Sequence, residues 1–118
     1  MIGLPWHVHR KAFPYGMNPS SLTVCVISST DHPGVGDTLS SAGDLWSTAV
    51  VVGPSAPDLE GVDLRGRQVE HVAAQLPVGA RAFGAALDHA RQPWALLLEA
   101  GERLSAELVE EIQLQLKD

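Results

Sequence analysis

Four short apolar runs, separated by polar and glycine-rich stretches, set the pattern of this chain. Residues 22–27 (LTVCVI), 48–52 (TAVVV) and 94–98 (WALLL) are continuous runs of mostly β-branched or leucine side chains. Such runs are typical of strands that are buried on both faces. Residues 68–74 (QVEHVAA) have a more mixed pattern and predict one further strand. The chain therefore predicts a sheet with a fully buried centre.

Apolar residues recur at helical spacing in the segments between and after these runs. Residues 35–46 and 78–91 predict helices on this basis. The clearest helix covers residues 105–116, and Ser105 at its start is a suitable N-cap. Its apolar stripe consists of Leu108, Ile112 and Leu116.

The order of these elements is strand, helix, strand, loop, strand, helix, strand, helix. Continuous apolar strands that alternate with helices are typical of a parallel sheet whose two faces are covered. We therefore expect an α/β fold, a three-layer sandwich around a mostly parallel four-stranded sheet, over residues 21–118. Residues 1–20 contain three prolines and predict an irregular N-terminal arm.

The composition indicates a globular chain. Of its 118 residues, 45% are hydrophobic and 19% are charged, and the formal net charge is −6 with scattered basic residues. This charge distribution argues against nucleic acid as a partner, because proteins that bind a phosphate backbone concentrate positive charge. The apolar runs fall far short of the roughly 20 residues that a helix needs to span a membrane.

The single cysteine, Cys25, lies inside the apolar run 22–27, so an internal disulfide is excluded. A buried, unpaired thiol is typical of proteins in a reducing compartment. We therefore expect a cytoplasmic protein in which Cys25 behaves as a small hydrophobic side chain.

Polar side chains follow three of the predicted strands. Because ligands bind outside the carboxyl ends of strands in an open parallel sheet, we expect these groups to share one edge. The same residues are also typical of solvated loop acids that hydrogen-bond their own turns, and both readings stay open. The residues are Ser28, Thr30, Asp31, Asp58, Glu99 and Glu102.

From residue 21 to the end, the chain resembles the nucleotide-binding half of a family 2 glycosyltransferase with the GT-A fold. Thr30 and Asp31 of VISSTD occupy the family's polar loop after the first strand. VVVGPSAPD keeps a trailing acid, Asp58, and the helix before the last strand keeps an arginine, Arg81. The resemblance implies a Rossmann-like half domain with strand order 3-2-1-4. It also implies a sugar-nucleotide partner, such as a UDP-sugar, contacted by Ser28, Thr30, Asp31, Asp58 and Arg81.

In the same family, the last strand leads into a metal motif of the form Asp-Ala-Asp-Glu. Here the stretch reads EAGE, with Glu99 for the first acid, Gly101 for the second and Glu102 matching the last. The family's carboxylates hold a divalent metal that neutralises the diphosphate of the leaving group. Because one carboxylate is missing, we expect Glu99 and Glu102 to bind Mn²⁺ or Mg²⁺ weakly.

Two departures from the family point away from catalysis by this chain. Gly53 stands where the family has a leading acid after the second strand. The 118 residues also lack the half that carries the acceptor site and the catalytic base in the family. The first hypothesis is therefore a glycosyltransferase-like domain that is inactive alone and keeps some sugar-nucleotide binding. The alternative is a non-catalytic domain that keeps the fold for contact with other proteins or for homodimer formation.

Overall fold

A computed structural model of the protein describes residues 8–10, 22–28, 34–77, 79–90, 92 and 94–116. Five strands form one sheet within these residues. The strands are β1 (Val8–Arg10), β2 (Leu22–Ile27), β3 (Thr48–Gly53), β4 (Gln68–Ala73) and β5 (Trp94–Glu99). The helices are α1 (Val35–Ser41), α2 (Ala80–His89) and α3 (Ala106–Leu116), with a 3₁₀ turn at Gly43–Leu45.

The sheet has the spatial order β1-β5-β2-β3-β4. All pairings among β4, β3, β2 and β5 are parallel. In chain order these four strands are arranged 3-2-1-4, so the predicted α/β fold with its parallel sheet is confirmed. Among the described residues, no helix is long and apolar enough to cross a membrane.

The short strand β1 lies in the arm for which the sequence predicted no regular structure. Val8–Arg10 pair antiparallel with β5, so that Val8 is the partner of Leu96 and Arg10 of Trp94. This pairing satisfies the backbone groups on the outer side of β5, an edge that would otherwise stay open. The prolines that argued against structure lie outside these three residues.

The first predicted helix is interrupted. α1 ends at Ser41, and a separate 3₁₀ turn follows where residues 35–46 predicted one continuous helix. Gly43 has a φ of +57°, a left-handed conformation that glycine adopts without a steric penalty and that a continuing α-helix does not contain. The interruption returns the chain sharply towards β3.

Alternate residues of the central strands belong to two separate cores. Val24, Val26 and Leu98 pack beneath α1 and α3, together with Ile112 of α3. Cys25 and Ile27 pack on the other face, against Ala82 and Ala86 of α2. β2 is buried along its whole length, and the thiol of Cys25 is fully buried, as the apolar run predicted. The molecule is a three-layer sandwich with the sheet in the middle.

The 54–67 loop between β3 and β4 is held by Arg67. Its Nε donates to the Trp46 carbonyl at 3.0 Å and its Nη1 to the Asp63 carbonyl at 3.0 Å. Its guanidinium also lies 4.3 Å from the centroid of the Trp46 ring, a cation–π contact.

In the same loop, hydrogen bonds from Arg65 lower the pKa of Asp63 to about 2.

The last helix has the cap that the sequence predicted. The Ser105 hydroxyl oxygen accepts a hydrogen bond from the Leu108 N–H at 3.1 Å. Ile112 is fully buried and Leu108 is partly buried against the same core, whereas the Leu116 side chain lies outside the described residues. The apolar stripe is therefore confirmed for Leu108 and Ile112.

We expect Ile112→Ala to lower the free energy of unfolding by about 2–5 kcal/mol, because it removes a fully buried side chain and leaves a cavity. Ser105→Ala should cost about 1 kcal/mol through loss of the cap. Leu114→Ala is the control, because Leu114 is 58% exposed on the same helix; it should change stability by less than about 0.5 kcal/mol. Urea denaturation measures all three variants, and a larger loss for Ser105→Ala than for Ile112→Ala would contradict this packing.

Candidate functional site

The carboxyl ends of β2, β3 and β5 meet at one edge of the sheet, which we call the carboxyl edge. Ile27 is paired with Val52 of β3 on one side and with Glu99 of β5 on the other. Beyond the strands, the Ser28 N–H donates to the Val52 carbonyl at 2.8 Å. The Ala100 N–H donates to the Ile27 carbonyl at 2.9 Å. The sheet thus brings Ser28 and Glu99 to neighbouring strand ends, as the sequence predicted.

The carboxyl edge contains the switch point of the sheet, which lies between β2 and β5. From β2 the chain adds β3 and then β4 on one side, and it then crosses back to place β5 on the other side of β2. α1 and α2 consequently lie on opposite faces. In open α/β sheets, ligands bind in the crevice outside the strand ends at such a switch point. This position is therefore the structural candidate for a ligand site.

The EAGE segment forms a closed turn at this switch point. The Glu102 carboxylate, through Oε1, accepts a hydrogen bond from the Glu99 N–H at 2.7 Å. The Glu102 N–H in turn donates to the Glu99 carbonyl at 3.0 Å. Gly101, between them, has a φ of +97°, a conformation that side chains rarely adopt. Glu102, one of the two predicted metal ligands, therefore stabilises its own turn through a side-chain hydrogen bond.

Hydroxyl groups of α1 fasten this turn to the body of the protein. The Gly101 N–H donates to Thr38 Oγ1 at 2.9 Å, and the same hydroxyl donates to the Gly34 carbonyl at 3.0 Å. Three residues further along α1 than Thr38, Ser41 Oγ accepts a hydrogen bond from the Leu104 N–H at 3.0 Å. Thr38 is fully buried, so this contact is shielded from water. A salt bridge of 2.9 Å between Arg103 and Asp37 adds an exposed link.

The role of Thr38 and Ser41 in holding this turn was not predicted from the sequence. Their spacing of three residues places both on one side of a helix, and that spacing is the one signal that the sequence carries. Their partners Gly101 and Leu104 are 63 residues further along the chain. Such long-range pairs become visible in the folded protein and not in a local pattern.

The position of the family's leading acid, Gly53, is closely packed against Ser28. A β-carbon at Gly53 would lie 3.2 Å from the Ser28 carbonyl oxygen and 3.3 Å from its Cβ. Both distances are shorter than the optimal carbon contact of about 3.5–4.0 Å. Ser28 itself is buried, 6% exposed. The glycine allows the ends of β2 and β3 to approach, and an acid would have to displace Ser28.

The other predicted contact residues occupy separate places. Asp58 is exposed, and its Oδ1 accepts a hydrogen bond from the Glu60 N–H at 3.0 Å, an Asx turn. Arg81 is exposed in the first turn of α2, on the face of the sheet opposite to α1. Thr30 and Asp31 lie outside the described residues. The structure therefore groups Ser28, Glu99 and Glu102, and it leaves Asp58 and Arg81 on the two flanks.

Glu99 and Glu102 are the two residues predicted to bind a metal ion at the carboxyl edge. Strand alternation directs Glu99 to the same side of the sheet as Ala95 and Leu97, beneath α2, and its side chain is exposed. The Glu102 carboxylate is already a hydrogen-bond acceptor within the turn. Within the part of the chain that the structure describes, no three His, Cys, Asp or Glu residues form a group that could hold a metal ion.

A cleft of about 460 Å³ lies at the opposite end of the strands. We call it the amino-edge cleft, because the first residues of β3 and β4 and the end of α2 line it. Its walls include a contact between the Glu70 carboxylate and Nδ1 of His89. The sequence predicted a partly exposed helix position for His89 and contained no sign of its contact with Glu70. The lining of the cleft includes Thr23, Thr48, Val50, Gln68, Glu70 and His89.

We expect Gly101→Asp, which restores the missing acid, to destabilise the protein by about 1–2 kcal/mol, because Gly101 has a positive φ. It should create no Mn²⁺ site, because the Glu102 carboxylate is engaged by the Glu99 N–H. Gly101→Asn is the matched control, since it adds a similar volume without charge. Thermal unfolding and Mn²⁺ titration should give similar values for both variants. Mn²⁺ binding by the Asp variant alone would reveal an open carboxylate site.

Comparisons with protein-family models, with curated proteins and with solved structures gave no match for this chain. The resemblance to family 2 glycosyltransferases therefore stays a prediction from the sequence.

Proposed function

We propose that this protein is a non-catalytic, glycosyltransferase-like α/β domain that binds a sugar nucleotide at the carboxyl edge without a metal ion. The observation that supports the proposal most directly is the switch point between β2 and β5. On the two sides of this point the crossovers run over opposite faces of the sheet, one through α1 and the other through α2. A planar base and a ribose fit a crevice of this kind in open α/β sheets.

The closed turn at residues 99–102 supports binding without a metal. A bridging metal needs several oxygen ligands with free lone pairs that point at one position. Here the Glu102 carboxylate accepts a main-chain hydrogen bond, and Gly101 provides no side-chain oxygen. Glu99 is the acid of this turn whose carboxylate takes no part in the turn's own hydrogen bonds. The diphosphate would consequently rely on other donors.

Arg81 is the cation best placed to meet a phosphate near this edge. It lies in the first turn of α2, which follows the carboxyl end of β4. Phosphate is favoured near the start of a helix, where backbone N–H groups point outwards. Arg81 is exposed, however, and the protein carries a net charge of −6. Screening and overall repulsion keep the affinity for a dianionic ligand low.

We expect isothermal titration with UDP to give a Kd on the order of 1 mM. The value should be the same in Mn²⁺ and in EDTA. Arg81→Ala should weaken binding about two- to fivefold through loss of an exposed ion pair. Arg65→Ala is the control for charge, because it removes another exposed cation, which is paired with Asp63 and lies just before β4, at the opposite edge.

Three results would contradict this proposal. One is UDP binding that tightens at least tenfold on adding Mn²⁺, which would require an open metal site. Another is an equal effect of Arg81→Ala and Arg65→Ala, which would reduce the role of Arg81 to general charge. Sugar-nucleotide turnover above that of a heat-denatured sample would contradict the non-catalytic assignment.

A second candidate function is contact with another protein or a second copy through β4. Among the described strands, β4 has a single neighbour, β3, and its residues are half-buried or exposed. The N–H groups of Gln68 and Ala74 point towards β3, donating to Ser47 and Gly53. Strand alternation therefore directs the N–H groups of the residues between them, Val69, His71 and Ala73, to the open edge. An open edge of this kind is a template for pairing with another strand.

Ala73→Pro tests this edge cleanly. Ala73 is exposed, and its N–H points outwards, so proline removes an edge donor without breaking the ladder to β3. If β4 pairs between two copies, light scattering after size exclusion should show a dimer for the unmodified chain and a monomer for the variant. Val72→Pro is the control that should unfold β4, because the Val72 N–H faces β3. A monomer at every protein concentration would exclude the homodimer.

A further inference from the structure

The amino-edge cleft holds polar groups that the proposed nucleotide site does not use. Thr23 Oγ1 and Thr48 Oγ1 form a hydrogen bond of 2.9 Å across the first residues of β2 and β3. Beside them, the Glu70 carboxylate is paired with Nδ1 of His89 at the end of α2. All four side chains line the same cleft. Strand, strand and helix thus contribute hydrogen-bonding groups to one place.

The placement of these groups follows from the fold. Thr23, Thr48 and Glu70 lie on the face of the sheet that carries Cys25 and Val50, which is the face beneath α2. α2 has ten residues and ends at His89, level with the first residues of the strands. The cleft opens beside this helix end, where the sheet face is no longer covered. Val50 supplies an apolar floor.

The cleft offers more hydrogen-bond acceptors than donors. The Glu70 carboxylate has two acceptor oxygens. Its Oε2 is buried and faces Nδ1 of His89, but it has no hydrogen-bond partner among the described residues. The Thr23–Thr48 pair uses one of its two hydroxyl hydrogens internally and keeps free lone pairs.

The charge of the cleft, as far as the described residues line it, favours cations over anions. Among those residues there is no lysine or arginine, and the basic group, His89, faces Glu70. The net charge of −6 adds a general attraction for cations. A ligand that matches both the charge and the excess of acceptors carries several N–H donors on a positive centre.

We propose that the amino-edge cleft binds a small primary amine as its ammonium cation, with the Glu70 carboxylate and the Thr23–Thr48 hydroxyl pair as acceptors. An ammonium group has three donors and no acceptor, which complements this set. The alkyl part of the ligand packs on Val50. The volume of about 460 Å³ is within the range of small-molecule sites. This site lies at the opposite end of the strands from the proposed nucleotide site and does not depend on it.

The test is a two-dimensional NMR titration of the full chain with n-butylamine and with 1-butanol, which is nearly isosteric but neutral. We expect butylamine to shift the backbone amide signals of Thr23, Thr48 and Glu70 with a Kd in the millimolar range. At equal concentration, the signal shifts caused by butanol should be about tenfold smaller, because butanol lacks the positive charge and two of the three hydrogen-bond donors.

Three variants locate the binding. Glu70→Gln should weaken butylamine binding about tenfold, since it removes the charged acceptor while keeping the shape. Thr48→Val should weaken it about threefold through loss of one hydroxyl, and it serves as the deciding variant if Glu70→Gln does not fold. Glu60→Gln removes the same charge on the exposed 54–67 loop and should leave the Kd within about twofold.

The proposal is overturned by equal shifts from butylamine and butanol, or by equal weakening in Glu70→Gln and Glu60→Gln. It is also overturned if sodium butyrate shifts the same signals and loses this effect in His89→Gln, because the cleft would then be an anion site built on the imidazole. A chain that binds butylamine but not UDP would support the cleft and reject the nucleotide site, and the converse result would do the opposite.

Discussion

The burial of the central strands on both faces is the constraint on which the rest of this structure depends. Every residue of β2 is buried, and alternate side chains belong to opposite cores. Two such faces need a helical layer each, so α1 and α3 cover one side and α2 the other. Right-handed crossovers then require the chain to move one way from β2 to β4 and back again to β5. The switch point between β2 and β5 is a consequence of this packing.

At that switch point, local hydrogen bonding and metal binding would compete for the same carboxylate. Glu102 donates its backbone N–H to Glu99 and accepts the Glu99 N–H on its side chain. The Thr38 hydroxyl, fully buried, then anchors Gly101 to α1. These bonds stiffen the turn between β5 and α3, and they engage Oε1 of Glu102, one of the two carboxylates that a divalent ion would need. The EAGE segment therefore links β5 to α1 and α3 through hydrogen bonds in this protein.

The two ends of the sheet differ in their chemistry. The carboxyl edge combines main-chain groups with dispersed charges, and Asp58 and Arg81 stand on its flanks. The amino edge concentrates a carboxylate, an imidazole and two hydroxyls around a cleft of about 460 Å³. The helices explain this difference, because α2 starts near one end of the strands and stops at the other, where its last residue, His89, reaches Glu70 on β4.

The sequence alone predicted the four parallel strands and the buried state of Cys25, because continuous apolar runs and helical periodicity are local patterns that burial enforces directly. It also predicted the Ser105 cap, whose hydrogen bond to Leu108 spans three residues. Three features are visible in the folded protein alone: the pairing of β1 with β5, the closed turn at Glu102 and the contact between Glu70 and His89. The bond from Gly101 to Thr38 joins groups 63 residues apart. The direction of a polar side chain at a strand end depends on which neighbours the whole fold brings within hydrogen-bonding distance, and no local pattern contains that information.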